Sequence, residues 1–218
     1  MDKNLVIKKT AAHMKELLSG EGSGHDWWHT YRVWNLAKKI GRKEAGDLFT
    51  IQLAALLHDI ADWKLHGGDE TVGPNAARDW LSRLNIDRKS IDEVCEIIAT
   101  TAFKGARVKT PPMRTLEGKV VQDADRLDAI GAIGIARTFT FMGHKGRPIY
   151  EPALKPVLHK SARQYVKADG TTINHFYEKL LLLKGMMNTR TGRKIAKERH
   201  EYMEQFLHRF FREWEGKD

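Results

Sequence analysis

Apolar positions recur at helical spacing along most of the chain, and no alternating run is long enough for a sheet strand. Residues 5–18 read as an amphipathic helix, with Leu5, Ala12, Leu17 and Leu18 among lysines, and the glycines between 20 and 24 break it. The next helix begins near His25-Asp26, with Ser23 or Asp26 as its cap. His29, Val33, Leu36 (or Ala37) and Ile40 then share an inward face. A second core helix is predicted over 47–63, where Ile51, Ala55, His58 and Asp62 fall on one face and Asp59 lies beside it. Further helices are predicted over 74–84, 88–102, 119–138, 173–187 and 192–215. Pro74 suits the first turn of one of these. Residues 103–118 form a basic, proline-containing loop, and about 143–172 an irregular insertion with a short helix around 153–166. The pattern predicts an all-α helical bundle, one domain over 1–218.

Polar residues on the apolar faces carry the chemistry. His58-Asp59 follows the apolar run Ala54-Ala55-Leu56-Leu57, and an imidazole beside a carboxylate is costly to bury without a partner. A metal ion between the two side chains satisfies both. Asp125, four residues after Val121 and three before Asp128, points inward on its own helix, while Asp123 points elsewhere and suits the helix start. His29, His58, Asp59 and Asp125 thus form a candidate site between core helices, with two imidazoles and two carboxylates. Such ligands without cysteine suit Mn, Fe, Ni, Co, Mg or Zn. Asp62 shares the face of His58 and is placed to orient a water molecule or move its proton. Cys95 is the one cysteine, on the apolar side of its helix, which fits a core residue and excludes an intrachain disulfide.

Charge narrows the partners. The 218 residues carry 37 Lys and Arg against 28 Asp and Glu, a net of +9, which favours anionic ligands without choosing among them. No apolar stretch is long enough for a membrane span, and Met1-Asp2-Lys3-Asn4-Leu5 is not the apolar block of a secretory signal, so a cytoplasmic protein is expected. A single divalent ion does not neutralise a polyphosphate, so cations must converge on the same substrate. Lys104, Arg126, His175 and Lys179 are the candidates: Arg126 follows Asp125, Lys104 begins the basic loop, and His175 and Lys179 are one helical turn apart.

The ordered set His29, then His58-Asp59, then Asp125 resembles the HD-domain superfamily of metal-dependent phosphohydrolases. Its contexts are His29-Thr30-Tyr31-Arg32-Val33, Leu56-Leu57-His58-Asp59-Ile60 and Asp123-Ala124-Asp125-Arg126-Leu127-Asp128. Gly24-His25-Asp26-Trp27-Trp28-His29 and His175-Phe176-Tyr177-Glu178-Lys179-Leu180 are similar to a subfamily of small stand-alone bacterial members, so the resemblance covers nearly the whole chain. It implies an HD fold, a divalent metal on those four residues, and hydrolysis of a phosphoester or phosphoanhydride of a small substrate, often a nucleotide. It also implies a catalytic role for Asp62. Ala99-Thr100-Thr101-Ala102-Phe103 lacks the additional histidines that hold a second metal in some relatives, so one ion is expected. A homodimer is compatible with this reading.

Other readings fare worse. His25-Asp26-Trp27-Trp28-His29 imitates a metalloprotease helix, but aspartate stands in place of the glutamate base. The alternative of a non-catalytic nucleotide- or nucleic-acid-binding protein that keeps a metal site draws on the positive charge. No helix-turn-helix, zinc-finger or RNA-binding motif supports nucleic acid as the partner.

Overall fold

The structure is a computed structural model, and it describes residues 2–20, 26–61, 67–101, 112–158 and 170–217. Among these residues the architecture is all-α, without strands. The helices are α1 (Lys3–Leu17), α2 (Trp27–Glu44), α3 (Leu48–Leu57), α4 (Val72–Arg83), α5 (Arg88–Thr101), α6 (Leu116–Asp128), α7 (Gly131–His144), α8 (Thr172–Glu178), a 3₁₀ helix (Leu180–Met186) and α9 (Arg190–Trp214). No described helix is long and apolar enough to cross a membrane. The chain divides into two compact units, one holding α1–α5 and α6 as far as Asp125, the other running from Arg126 onward.

In the first unit α3 is the core. It is apolar all round, and Ile51, Leu53, Ala54, Ala55, Leu56 and Leu57 are fully buried under α1, α2 and α5, while α4 packs on α5. On α2, His29, Val33, Ala37 and Ile40 are buried, and Ala37 rather than Leu36 completes the face. The two helices approach closely because Gly41 has no side chain: a Cβ there would lie 2.7 Å from Ile51 Cδ1. Asp26 caps α2 by accepting from the His29 amide at 2.8 Å, and Asp47 caps α3 by accepting from the amides of Phe49 and Thr50. Cys95 is buried, its thiol on the Pro74 carbonyl at 3.2 Å.

Several boundaries differ from the sequence pattern. The helix expected over 47–63 ends at Leu57, so His58 and Asp59 stand in the turn beyond it. The His58 ring supplies a reason: its Nδ1 lies 2.9 Å from the Ala55 carbonyl, the acceptor that a continuing helix would offer to the Asp59 amide. The helix expected over 119–138 is two helices, because Gly131 takes φ +78°, a left-handed conformation that glycine adopts without strain. Ala129 and Ile130 close the end of α6 with bonds to Arg126 and Leu127. Asp123 is not at a helix start but fully buried within α6. The helix expected over 173–187 passes into the 3₁₀ helix after Glu178. Residues 154–158 are not helical, and the remainder of the short helix expected around 153–166 lies outside the described residues.

In the second unit α9 packs on α7 and on the 3₁₀ helix; Phe176 and Phe206 stack at a centroid distance of 5.7 Å, and Phe139 meets both edge-on at 5.9–6.4 Å. The buried Asp128 carboxylate accepts from Arg137 Nη1 at 2.9 Å, and Arg199 donates to the Leu127 carbonyl.

Candidate metal centre

Three segments of the first unit bring four polar side chains to one place. His29 comes from the inward face of α2, His58 and Asp59 from the turn that ends α3, and Asp125 from α6. His29 Nε2 lies 3.2 Å from His58 Nε2, 3.4 Å from Asp59 Oδ2 and 3.5 Å from Asp125 Oδ1. His58 Nε2 lies 3.4 Å from Asp59 Oδ2 and 4.0 Å from Asp125 Oδ1. The imidazoles are buried and the carboxylates are only partly so. One donor atom each from His29, His58 and Asp125 falls within 4.8 Å of the others, an arrangement able to hold a metal ion.

The donor chemistry fits a divalent cation. A carbonyl only accepts, so His58 Nδ1 must carry the proton it shares with Ala55, and in the neutral ring the Nε2 lone pair then faces the other three groups. Neighbouring ligands of an octahedral ion with bonds of about 2.1 Å stand about 3 Å apart, close to the spacing seen here. The electrostatics agree. Burial pulls the His58 pKa down, but the charge and hydrogen bond of Asp59, the charge of Asp125 and the Ala55 carbonyl outweigh it and lift it to about 9. Positive charge, as a proton or a metal ion, is what this cluster attracts.

Interactions distant in sequence hold α6 in place within this unit. Glu117 Oε1 accepts from the Asp47 amide at 2.9 Å, and Gln122 Nε2 donates to the Thr100 carbonyl at 3.0 Å. The sequence pattern singles out neither contact, since no local signal links residues 70 apart.

The remaining candidates are distributed differently. Asp62 and Lys104 lie outside the described residues. Arg126, His175 and Lys179 belong to the second unit. Arg126 donates to the Met186 carbonyl, so its guanidinium has a part in that unit's packing. The Lys179 amide bonds to the His175 carbonyl at 3.0 Å, keeping the two a helical turn apart. His175 is not a cation at neutral pH: burial first, then the charges of Lys179 and Arg147, push its pKa down to about 3.

Comparison with known proteins gives this geometry its setting. The HD domain family matches residues 27–130, which span all four side chains. Bacillus subtilis YpgQ is 41% identical over 209 residues, covering 94% of this chain and 92% of its own. The chain belongs to the HD superfamily. A crystal structure of a Lactobacillus plantarum protein covers all of both chains with TM-score 0.84 and 37% identity. An HD-superfamily hydrolase from Bacillus thuringiensis aligns with TM-score 0.76 and 42% identity over 99% of this chain and 100% of its own. YpgQ itself, solved in complex with ADP, aligns with TM-score 0.77 over 98% of this chain and 97% of that one. The present chain is thus a small HD-superfamily hydrolase.

Proposed function

We propose that this HD hydrolase is a divalent-metal-dependent phosphohydrolase that cleaves a phosphoester or phosphoanhydride of a nucleotide. The observation that carries the reading is the convergence on two facing imidazole nitrogens, each 3.2–4.0 Å from the other and from an oxygen of Asp59 and of Asp125. The complex of YpgQ with ADP favours a nucleotide among phosphorylated substrates.

In this reading His29, His58, Asp59 and Asp125 hold one ion, of Mn, Fe, Ni, Co, Mg or Zn. The ion supplies Lewis acidity, polarising a phosphoryl oxygen and easing deprotonation of the attacking water. The Ala55 carbonyl keeps the proton of His58 on Nδ1, so that Nε2 remains a donor to the cation. Asp62 accepts the proton of the water as it attacks. Lys104, Arg126 and Lys179 supply positive charge to the phosphates, and the neutral His175 offers an N–H donor in place of a charge.

The experiment is metal-free protein, reconstituted with one divalent ion at a time and offered nucleoside mono-, di- and triphosphates, with the products identified. Nucleoside monophosphate plus pyrophosphate from a triphosphate marks an anhydride pyrophosphohydrolase. Nucleoside plus phosphate from a monophosphate marks a nucleotidase. Binding without turnover under every ion would replace the enzyme by a nucleotide-binding protein that keeps its metal site.

A further inference from the structure

We propose that the second unit carries an anion site of its own, in which Arg147, with His175 and Lys179, takes a phosphate or pyrophosphate group; as a substrate subsite it rests on the phosphohydrolase reading above. Arg147 has no motif around it, and its place follows from backbone pairing. The chain leaves α7 through Gly146 at φ +65°, with the Gly146 amide on the Gly143 carbonyl at 2.9 Å and the Arg147 amide on the Met142 carbonyl at 3.0 Å. The next two carbonyls, of Pro148 and Ile149, accept from the amides of Thr172 and Ile173 at 3.0 Å each. Arg147 is thereby laid against the start of α8, the helix that carries His175 and leads to Lys179.

Arg147 is half-buried, and the one hydrogen bond of its guanidinium among the described residues is to the Met142 sulfur at 3.7 Å. A thioether is a weak acceptor, whereas the planar fork of a guanidinium matches a carboxylate or phosphate. Among the described residues, two carboxylates of this region are turned to backbone amides instead: Glu178 accepts from Val157 at 2.9 Å and Glu151 from Ala153 at 3.3 Å. His175 registers the resulting positive potential, since Lys179 and Arg147 both add to burial in keeping its ring neutral. Arg147, His175 and Lys179 each retain exposed surface. The planar guanidinium matches two phosphate oxygens, and the neutral imidazole and the ammonium are N–H donors of the same kind.

Calorimetric titration of the metal-free, full-length protein with inorganic pyrophosphate tests this, with the His175 ring followed by ¹⁵N NMR. The expected result is binding that shifts the His175 signals. It should weaken about tenfold in Arg147→Gln, the scale of one charged hydrogen bond. Arg147→Lys should recover part of that loss, and His58→Ala should bind like the wild type. Absence of binding to metal-free protein, wild-type affinity in Arg147→Gln, or loss of binding in His58→Ala would each overturn the proposal. Failure of the phosphohydrolase reading shows separately, as wild-type protein that releases no product with any metal.

Discussion

His29 Nε2 and His58 Nε2 face each other across 3.2 Å, from residues 29 positions apart in the chain. Two ring nitrogens at that distance need a proton or a cation between them, and the nearby Asp59 and Asp125 oxygens make a cation the better occupant. His58→Ala or Asp59→Ala should therefore abolish both metal retention and turnover. Metal content of purified, folded protein checks this, and full occupancy in His58→Ala would rule out His58 as a ligand.

The same site couples metal binding to folding. A ligand that binds the folded state alone adds about 2.7 kcal/mol when present at a hundredfold excess over its Kd. Chelation should lower the Tm of the wild type and leave that of His58→Ala unchanged. Equal chelator sensitivity in the two proteins would mean that the stabilising ion binds elsewhere.

Asp62→Asn separates chemistry from metal binding. It should keep the ion and the fold while kcat falls by about 10²-fold or more, the scale of a lost general base. Unchanged kcat would make Asp62 a structural carboxylate.

Acid should destabilise the second unit through His175. Its folded pKa, about 3, lies below the ordinary value of 6.5. Between those values the unfolded chain binds a proton that the folded one refuses, so stability falls as pH drops from about 6.5 toward 3. The slope from one group is at most about 1.4 kcal/mol per pH unit, and less where solvent screens the ring. Urea midpoints from pH 7 to pH 4 should decline less steeply in His175→Gln than in the wild type. Parallel declines would show that other groups govern the acid response.

The buried pair Asp128–Arg137 supplies a test of packing away from the metal. Asp128 is 1% exposed, and Arg137→Ala removes a cation 2.9 Å from its carboxylate. The cost should be about 3 kcal/mol in urea unfolding. Adding Asp128→Asn should recover part of that cost, because the buried charge that Arg137 faced goes with it. A strictly additive double variant would show that the pair is not coupled.

The sequence by itself determined the all-α class, the inward face of α2, the choice of Ser23 or Asp26 as its cap, and the polar side chains worth following. These are properties of periodicity and of near neighbours along the chain: buried His29, Val33, Ala37 and Ile40 obey a spacing visible in the residue order. Tertiary structure decided the rest. The end of α3 at Leu57 depends on where the His58 ring finds an acceptor, and the division of α6 from α7 on the conformation that Gly131 adopts. The 3.2–4.0 Å convergence depends on how closely α3 approaches α2 at Gly41 and on how Glu117 binds the Asp47 amide across 70 residues. Arg126 and His175 read as two cations in the residue order. Packing puts one on the Met186 carbonyl and keeps the other neutral, because desolvation and the field of neighbouring charges exist only once distant segments have come together.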